Sequence, residues 1–385
     1  MTQTNRNQKI SNSGIDPNPI RISMVIIKGL CLFLIFNMIF AVAGSPEIGK
    51  ISLYNLIFPG RFRLPFGENP NEAYNFSLNN LDAMFASHTI SGKVKTENEF
   101  RIIVIGDSST WGILLKPEET ITGLINKAEL NCKGRNVKAY NLGYPTLSLT
   151  KDILIMDQAL QYKPDLIIWP VTLEAFPSDK QFSSLLVINN LDKIKNIFEN
   201  YPLKIEGYLP EKIKQNIYEK SIVGQRRNLA DILRLQLYGI MWAATGIDQV
   251  YPDDYDHAQI DLEGENTFHG WTTPEQLRKG LALNILETGL RIAGDIPVLI
   301  INEPILISSG KNSDIRYNFY YPRWAYDQYR KILEENSAYN NWRYLDLWNI
   351  VPSDEFTNSA IHMNPFAETI YAKHVIDEIR AGNCQ

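Results

Sequence analysis

Stretches of strand-forming residues alternate with stretches of helical length, and this alternation limits the possible folds more than any other feature of the sequence. The first predicted strand covers Arg101–Ile105, a helix follows near Glu118–Ala128, and the second strand covers Val137–Asn141. A helix near Leu149–Gln161 then precedes a third strand at Asp165–Trp169. Strands separated by helices of this length form parallel βαβ units. The pattern predicts a three-layer, flavodoxin-like α/β fold with a parallel sheet.

The alternation stops near residue 178 and resumes only near residue 294. The interval is mostly helical in character and is too long for a crossover connection, so we expect it to be an insertion. A strand at Ile296–Ile301 then ends in Asn302, a shorter strand covers Arg343–Leu347, and a last helix covers Pro365–Ile379. The two blocks of alternation are therefore expected to form one α/β domain around a helical insertion.

An apolar segment near the N-terminus has the length and composition of a transmembrane helix. Met24–Gly44 carries one charge, Lys28, and as a helix it covers about 30 Å, roughly the thickness of a bilayer core. The basic residues Arg6, Lys9 and Arg21 precede it, so the positive-inside rule places the N-terminus in the cytoplasm. The prediction is a single-pass protein of the cell membrane whose main domain is extracytoplasmic.

A cleaved signal peptide is the alternative, because Ala41-Val42-Ala43 fits the small-residue cleavage pattern. The long polar stretch before the apolar segment favours a retained anchor, and both interpretations place the main body across the membrane. The predicted organisation begins with a disordered cytoplasmic tail at 1–22, a transmembrane anchor or uncleaved signal at 23–44 and a lead-in region at 45–96. An α/β domain at 97–177 and 294–385 follows and is interrupted by a helical insertion at 178–293.

Charge and cysteine content restrict the partners and the kind of site. The formal net charge is -5 and no long basic run is present, which argues against nucleic acid as a partner. Cys31 lies in the apolar segment, whereas Cys132 and Cys384 lie in the exported body and could form a bridge in an oxidising compartment. The sequence does not show that these two cysteines approach each other. No pair of cysteines has the spacing of zinc ligands.

The stretch RIIVIGDSSTWG, residues 101–112, places a buried strand directly before a glycine, an aspartate and two serines. These residue types are common at strand-to-helix turns simply because they tolerate turn geometry and cap helices. The alternative is that the strand end presents Asp107, Ser108 and Ser109 in the open as working groups. In an open parallel sheet, sites form beyond the carboxyl ends of the strands, so the other strand ends bear on this choice.

Four stretches, in chain order, resemble the sequence blocks of the SGNH or GDSL hydrolase superfamily. GDSSTWG resembles the first block, AYNLGYPTLS supplies Gly143 as in the second, and PDLIIWPVTLEAF follows a strand as the third does. AIHMNPFAETIYA carries His362 shortly before a C-terminal helix, as in the last block. The resemblance covers residues 99–177 and 294–380, and it implies the SGNH version of the α/β fold.

The resemblance also implies acyl-ester chemistry at a serine. Ser108 would be the nucleophile, because a hydroxyl reacts only when a base takes its proton, and His362 would be that base. Asp107 accompanies the serine in the first block. The backbone N–H groups of Ser108 and Gly143 would donate to the oxyanion that develops in the transition state. This chemistry needs neither a metal nor an organic cofactor.

The orienting member of the triad departs from the family pattern. The family usually has an aspartate three residues before the histidine, where this chain has Ser359, with Asn358 one residue earlier. An amide can orient the imidazole but does not stabilise its cation, and in serine proteases the change from aspartate to asparagine lowers turnover about 10⁴-fold. Asp354 could reach His362 instead, and some members of the family work with a Ser–His dyad.

The third block departs as well. Its usual asparagine, an oxyanion donor, is replaced by Glu174, and the preceding glycine is replaced by Thr172. An ionised Glu174 would repel an oxyanion, so the third donor could be a protonated Glu174, Thr172 or Asn302. Asn302 and Glu303 are candidates because a strand ends there. Each position has a structural alternative: Glu174 could pair with an arginine, and Asn302 could cap a loop.

The sequence therefore predicts an extracytoplasmic serine esterase or O-acyltransferase that acts on acyl esters, including those of cell-envelope glycans, through a Ser108 acyl-enzyme. The aromatic residues of the stretch 313–330 would suit sugar rings, with an aromatic packing loop as the alternative. A second hypothesis is a catalytically degenerate module that binds envelope glycan or a membrane partner. The missing aspartate and asparagine favour it, whereas Ser108, Gly143 and His362 oppose it.

Overall fold

The computed structural model describes residues 21–43, 81, 85, 88–90, 94–188, 190–201, 217–245 and 254–384. The chain divides into two compact units, a small one made of Met1–Ser45 and Gln215–Leu229 and a large one made of Pro46–Lys214 and Ala230–Gln385. The predicted tail at 1–22 and the predicted lead-in region at 45–96 lie largely outside the described residues, so both stay predictions.

The strands of the large unit are β1 (Glu99–Val104), β2 (Asn131–Cys132), β3 (Arg135–Asn141), β4 (Leu166–Val171), β5 (Val298–Asn302) and β6 (Arg343–Asp346). They form one sheet in the order β2-β3-β1-β4-β5-β6, in which every neighbouring pair is parallel except β2 with β3. The predicted parallel α/β fold is confirmed. The antiparallel β2 was not predicted, because a two-residue strand is too short to produce a period in the sequence.

The helices, in chain order, are α1 (Ile22–Ala43), α2 (Ser108–Trp111), α3 (Ile121–Lys127), α4 (Leu149–Ala159), α5 (Leu185–Ile188), α6 (Leu191–Asn200), α7 (Ile217–Lys220), α8 (Arg226–Thr245), α9 (Pro274–Gly280), α10 (Leu283–Ala293), α11 (Arg323–Asn340) and α12 (Pro365–Asn383). Several begin at a side-chain cap that the sequence favours there. Thr120 caps α3, Ser148 caps α4 and Asn364 caps α12, each accepting a hydrogen bond from a backbone N–H of the first turn.

The sheet is buried on both faces, which makes the large unit a three-layer structure. Successive residues of β1 point to opposite faces, so Ile103 and Ile105 belong to one buried hydrophobic cluster and Ile102 and Val104 to the other. Burial of one such side chain contributes about 1.5–3 kcal/mol, so a continuous apolar strand is stable only when it is covered on both sides.

Polar residues collect at one edge of this sheet because β1, β4 and β5 are adjacent and parallel. The Glu303 N–H donates to the Val171 carbonyl over 3.2 Å, which places the residue after β5 beside the end of β4. The Tyr144 N–H donates to the Gly106 carbonyl over 2.9 Å, which brings the loop after β3 to the turn after β1. The loops that follow these strands therefore meet around Ser108.

The last helix of the predicted insertion at 178–293 packs directly on the sheet. Ile285 and Leu286 of α10 are buried in the larger hydrophobic cluster. At Gly289 of the same helix, an added Cβ would come within 2.4 Å of the Trp169 ring, so only glycine permits this approach. Helix α10 thus serves as the crossover that leads into β5, and the predicted domain division stays a prediction.

A disulfide closes the C-terminal part of the large unit. Cys132 of β2 is bonded to Cys384, the residue that follows α12. The pairing that the sequence left open is therefore formed, and it fastens the last helix to the edge of the sheet. A bond between residues this far apart in sequence removes considerable freedom from the unfolded chain.

In the small unit, α1 contains one stretch, Ile22–Val42, that is long and apolar enough to span a membrane, with a mean hydropathy of 2.5. A signal sequence near an N-terminus meets the same test of length and composition. The polar side chain of Asn37 is satisfied locally: its amide donates to the Phe33 carbonyl over 2.8 Å, and its oxygen accepts from the Val223 N–H over 3.2 Å.

Candidate active site

The turn after β1 is held by its own side chains. Asp107 is the N-cap of the short helix α2, and its Oδ1 accepts from the Ser109 N–H over 2.8 Å. Gly112 ends the helix in the left-handed region, at φ 81°, where a side chain would be strained. This local folding leaves Ser108 as the first residue of α2, partly exposed at the carboxyl edge of the sheet.

The structure brings Ser108 and His362 together from opposite ends of the large unit. His362 Nε2 lies 2.8 Å from Ser108 Oγ, although 254 residues separate the two along the chain. The histidine precedes α12, in a loop whose ends are joined by a bridge between Phe356 and Met363. The distance is that of a hydrogen bond in which the serine hydroxyl donates to the imidazole.

The other imidazole nitrogen identifies which of the two candidate residues orients the ring. His362 Nδ1 lies 2.8 Å from Asn358 Oδ1, so the Nδ1–H donates to the amide oxygen and Nε2 remains free to accept. Ser359 is buried and forms no described hydrogen bond with the imidazole. Asp354 lines a cavity of about 460 Å³ with His257 and is no described partner of the ring either.

Burial sets the charge of the imidazole. It lowers the pKa of His362 to about 4, because a buried cation loses its hydration and no carboxylate compensates for that loss. The ring is therefore neutral at neutral pH, the form that a general base requires. The amide beside Nδ1 is neutral and does not offset this effect of burial.

Gly143 lies against the turn after β1 that carries Ser108, but its N–H already donates a hydrogen bond. An added Cβ would meet the Trp111 nitrogen at 2.4 Å, so only glycine fits there. Its N–H donates to Asn141 Oδ1 over 2.9 Å, which differs from the expectation of a free oxyanion donor. Asn141 also donates to the Thr110 carbonyl over 2.8 Å and so ties the end of β3 to α2. None of the hydrogen bonds described for this chain uses the Ser108 N–H.

Asn141 was not among the site residues predicted from the sequence. The signal for it was present, because an asparagine two residues before a glycine after a strand is typical of a turn in which the side chain accepts from the backbone.

The two candidates of the third block are engaged with other groups. The carboxylate of Glu174 pairs with Lys180 and with His269 Nε2, the latter at 3.2 Å. The bond to Glu174 raises the pKa of His269. Thr172 Oγ1 lies 2.9 Å from the Tyr321 hydroxyl. Glu174 thus has the structural role of an ion-pair partner, with a lysine and a histidine where an arginine was considered, and it does not present a donor.

Asn302 and Glu303, at the end of β5, also differ from the expectation that they face the substrate. The Asn302 amide donates to Asp346 Oδ1 over 2.8 Å, and its oxygen accepts from the Tyr326 hydroxyl over 3.1 Å. Glu303 is 1% exposed and accepts a hydrogen bond from the Ser109 hydroxyl. Asn302 therefore joins the end of β5 to Asp346 and Tyr326. Glu303 is buried next to Ser109, in the turn after β1 that carries Ser108.

Burial corrects a further expectation at the turn after β1 and decides between the two alternatives for the stretch 313–330. Of the three residues expected in the open after β1, Asp107 and Ser109 are buried, and only Ser108 is partly exposed. Desolvation of Asp107 raises its pKa to about 6. In the stretch 313–330, the tyrosines that dominate the sequence pack against one another inside the core and do not form an open sugar platform. They are Tyr317, Tyr321, Tyr326 and Tyr329.

The described residues contain no group of three or more His, Cys, Asp or Glu side chains that could hold a metal ion. The arrangement at the sheet edge can perform proton transfer and nucleophilic attack with its own side chains. A hydroxyl, a neutral imidazole that accepts from it and an amide that fixes the tautomer form a serine–histidine–asparagine relay.

The solved structures that are similar to this chain have low sequence identity and low TM-scores. They include a lipolytic protein of the G-D-S-L family from Veillonella parvula (12% identity, TM-score 0.35, covering 72% of this chain and 96% of that one). The native aryl esterase of M. smegmatis is 12% identical, with a TM-score of 0.37 and coverage of 73% and 98%. A carbohydrate acetylesterase family member from Sinorhizobium meliloti is 10% identical, with a TM-score of 0.33 and coverage of 73% and 97%.

No protein-family model and no curated protein matches the sequence. Likeness at this distance carries no conclusion about activity. The parallel α/β sheet that the sequence predicts is present, and the activity has to be argued from the geometry of the site.

Proposed function

We propose that this protein is a serine esterase of the SGNH type, with Ser108 as the nucleophile and His362 as the general base. The observation that carries the proposal is the pair of 2.8 Å contacts that places His362 between Ser108 Oγ and Asn358 Oδ1. A hydroxyl, a base and a group that orients the base are the parts that an activated serine requires. The proton can pass directly from Ser108 Oγ to His362 Nε2, while Asn358 holds the imidazole from the other side.

The reaction follows from this geometry in two balanced steps. The Ser108 oxygen attacks the ester carbonyl carbon while its proton passes to His362 Nε2, and the carbonyl oxygen becomes an oxyanion. The C–O bond to the leaving alcohol then breaks, and the imidazolium returns the proton to that alcohol. Water, or a sugar hydroxyl in a transferase, repeats the sequence on the Ser108 acyl-enzyme and releases the acid or the new ester.

We assign the Ser108 backbone N–H as the oxyanion donor, because it belongs to the nucleophile itself and begins helix α2. The Gly143 N–H would have to leave Asn141 Oδ1 to serve as a second donor. One preorganised donor contributes a factor of about 10²–10³ to turnover. The proposal therefore includes a slow enzyme, with a neutral orienting group and fewer donors than the family pattern.

The substrate class that we propose is a short-chain acyl ester on an extracytoplasmic glycan. The apolar helix α1 with basic residues before it supports a main domain outside the cytoplasm, where envelope polymers are found. Hydrolysis and transfer use the same acyl-enzyme, so O-acyltransfer to a sugar hydroxyl belongs to the same proposal.

Acetate release tests this function. The full-length protein in detergent should release acetate from a 4-nitrophenyl ester and from partly acetylated oligosaccharides, and the His362→Gln variant should release none above background. Adding an excess of unacetylated oligosaccharide should divert acetyl groups to sugar hydroxyls if the protein is a transferase. Equal rates for the wild type and the variant would contradict the proposal.

A glycan-binding module without turnover is the second candidate. The neutral Asn358 and the engaged Gly143 N–H favour it, because both weaken the chemistry without altering the shape of the site. Calorimetry would then show binding of the acetylated oligosaccharide with the acetyl groups intact after long incubation. Release of acetate that depends on Ser108 would reject this candidate.

The topology proposal is tested by fusions. A periplasmic-type reporter placed after residue 60 should be active, and the full-length product should remain with the membranes, because α1 has the length of a span. Activity of a cytoplasmic reporter at the same point would reverse the orientation. A released body whose N-terminus lies near Gly44 would show that the apolar segment is a cleaved signal.

A further inference from the structure

A group of buried acids lies beneath the nucleophile turn, and the proposed reaction does not use it. Asp107, Glu303 and Glu368 are each at least 95% buried, at 5%, 1% and 2% exposure. Within the described part of the chain, Glu303 Oε1, Glu368 Oε2 and the Tyr371 hydroxyl are buried without a hydrogen-bond partner. Ionised carboxyl groups are not stable in such a place, so the group must retain protons.

The contacts of Glu303 single it out within this group. Its Oε2 accepts from the Ser109 hydroxyl, and the charge of Asp107 acts on its carboxyl group. The Ser109 N–H in turn donates to Asp107 Oδ1 over 2.8 Å. Both carboxyl groups are thus bonded to Ser109, and a proton on Glu303 Oε1 would close a ring through both neighbours of Ser108. Two carboxyl groups can share a hydrogen bond only when one of them carries a proton.

The pKa shifts of the two groups favour Glu303 as the one that keeps the proton. Burial raises the pKa of Glu303 well above its ordinary value, and the charge of Asp107 raises it further. Asp107 faces the Lys151 ammonium and accepts from Ser109, and both effects favour its ionised form. A protonated Glu303 would donate to the Asp107 carboxylate through Oε1, which has no described partner, while its Oε2 accepts from the Ser109 hydroxyl.

We propose that Glu303 is a positioning residue that, in its protonated form, joins Asp107 to Ser109 and so holds the Ser108 hydroxyl in line with His362. Glu303 touches neither the ester nor the imidazole, and it acts through the turn. The inference rests on the proposed esterase function for its kinetic test and on the turn itself for its structural test. Loss of the shared proton would place two anions side by side and open the turn.

Other titratable groups face this ring from every side. Glu368 and Tyr371 of α12 and Tyr321 and Tyr326 interact electrostatically with Glu303, and Lys151 and Asp152 of α4 interact with Asp107. Lys151 is the cation among them, and its Nζ also donates to the Gly106 carbonyl over 2.7 Å. Burial raises the pKa of Glu368 to about 8, so Glu368 is neutral at neutral pH and serves as a matched buried acid outside the ring.

The kinetic test compares three variants on a 4-nitrophenyl ester. Glu303→Gln keeps both bonds, since the amide N–H donates to Asp107 and the amide oxygen accepts from Ser109, and it should keep kcat within about threefold of wild type. Glu303→Leu removes both and should lower kcat about tenfold with little change in KM, because a displaced nucleophile is costly. Glu368→Gln should leave kcat unchanged. Loss of the Glu303 proton should lower the kcat of wild type at alkaline pH, and this fall should be absent from Glu303→Gln.

The second test does not need activity. Amide hydrogen exchange of residues 106–112 should be faster in Glu303→Leu than in wild type and unchanged in Glu303→Gln and Glu368→Gln. The free energy of unfolding of wild type should fall relative to that of Glu303→Gln as pH rises above about 4. The reason is that the pKa of Glu303 is raised in the folded state, so its ionisation favours the unfolded state.

The proposal is overturned if Glu303→Leu retains wild-type kcat and wild-type exchange, or if Glu303→Gln is as impaired as Glu303→Leu. An inactive wild type whose exchange and stability follow the expected pattern would reject the esterase function and support the positioning role. An active wild type together with unchanged amide exchange in Glu303→Leu would support the esterase function and reject the positioning role.

Discussion

Replacing Ser108 with alanine should lower kcat/KM for short-chain aryl esters at least about a thousandfold, because removal of an activated nucleophile abolishes the acyl-enzyme. The melting temperature should change little, since the hydroxyl is partly exposed and its main described contact is with His362. The measurement is kcat/KM at neutral pH together with a thermal melt of wild type and variant.

Ser109→Ala is the matched control for this prediction. The sequence alone predicts an exposed side chain and a mild effect, whereas the structure shows a buried hydroxyl that donates to Glu303. We therefore expect Ser109→Ala to lower the melting temperature more than Ser108→Ala does and to lower activity much less. If the two variants behave alike in both assays, Ser108 has been assigned wrongly.

The Asn358→Asp variant should raise kcat/KM between about tenfold and about a hundredfold. A carboxylate at 2.8 Å from His362 Nδ1 would stabilise the imidazolium that forms when Ser108 loses its proton. The gain stays below the factor of about 10⁴ known from serine proteases, because the amide already holds the useful tautomer. Asn358 is exposed, so the new charge would remain hydrated.

The pH dependence of kcat/KM provides an independent test of the effect of Asn358→Asp on His362. Only neutral His362 can act as a base, and burial lowers its pKa to about 4, so wild-type activity should be lost as pH falls through about 4. Asn358→Asp raises the pKa of His362, so its acidic limb should lie at higher pH. Measurement of kcat/KM from about pH 3.5 to 8 resolves the two limbs.

The Ser359→Asp variant tests whether a carboxylate must contact the imidazole of His362 or need only lie near it. It places a carboxylate at the spacing usual for the family, but Ser359 is buried and does not contact the imidazole in the described structure. An unpaired buried carboxylate is costly, so this variant should lose stability and gain no activity. A gain in Ser359→Asp and none in Asn358→Asp would show that the loop is arranged differently from the structure.

Much of the fold could be predicted because it depends on local pattern. The apolar run at 101–105 predicted a buried strand, and the structure has β1 at Glu99–Val104. The position of β5 was likewise predicted within two residues, from PVLIIN. A strand that is buried on both faces has a continuous run of apolar residues, and the helices between the strands set the spacing between these runs. The runs and their spacing can both be recognised without knowledge of distant contacts.

The candidate site was predictable only in part. Ser108 and His362 were singled out because each lies in a short sequence block, and the structure places them in contact. The partner of His362 was left between Asn358 and Ser359, since a difference of one residue in loop length decides which side chain reaches the ring. That length depends on how the loop is held to the rest of the domain, which no local pattern records.

The ring beneath the nucleophile shows why the rest escaped prediction. Ser109 and Glu303 are 194 residues apart and meet because β4 separates β1 from β5 by one strand in the sheet. Glutamate at a strand end is typical of an exposed site, and nothing in its neighbours indicates burial. The same holds for Tyr326 and Tyr329 of α11, whose polar hydroxyl groups favour a surface role although their rings are buried.

Labelling with a fluorophosphonate probe tests the central claim most directly, because the probe reacts with an activated serine and not with an ordinary hydroxyl. Peptide mass spectrometry of the labelled full-length protein should locate the adduct on Ser108. The adduct should be absent from Ser108→Ala and strongly reduced in His362→Gln. Failure of wild type to label, or equal labelling of Ser108 in His362→Gln, would contradict a histidine-activated serine in this protein.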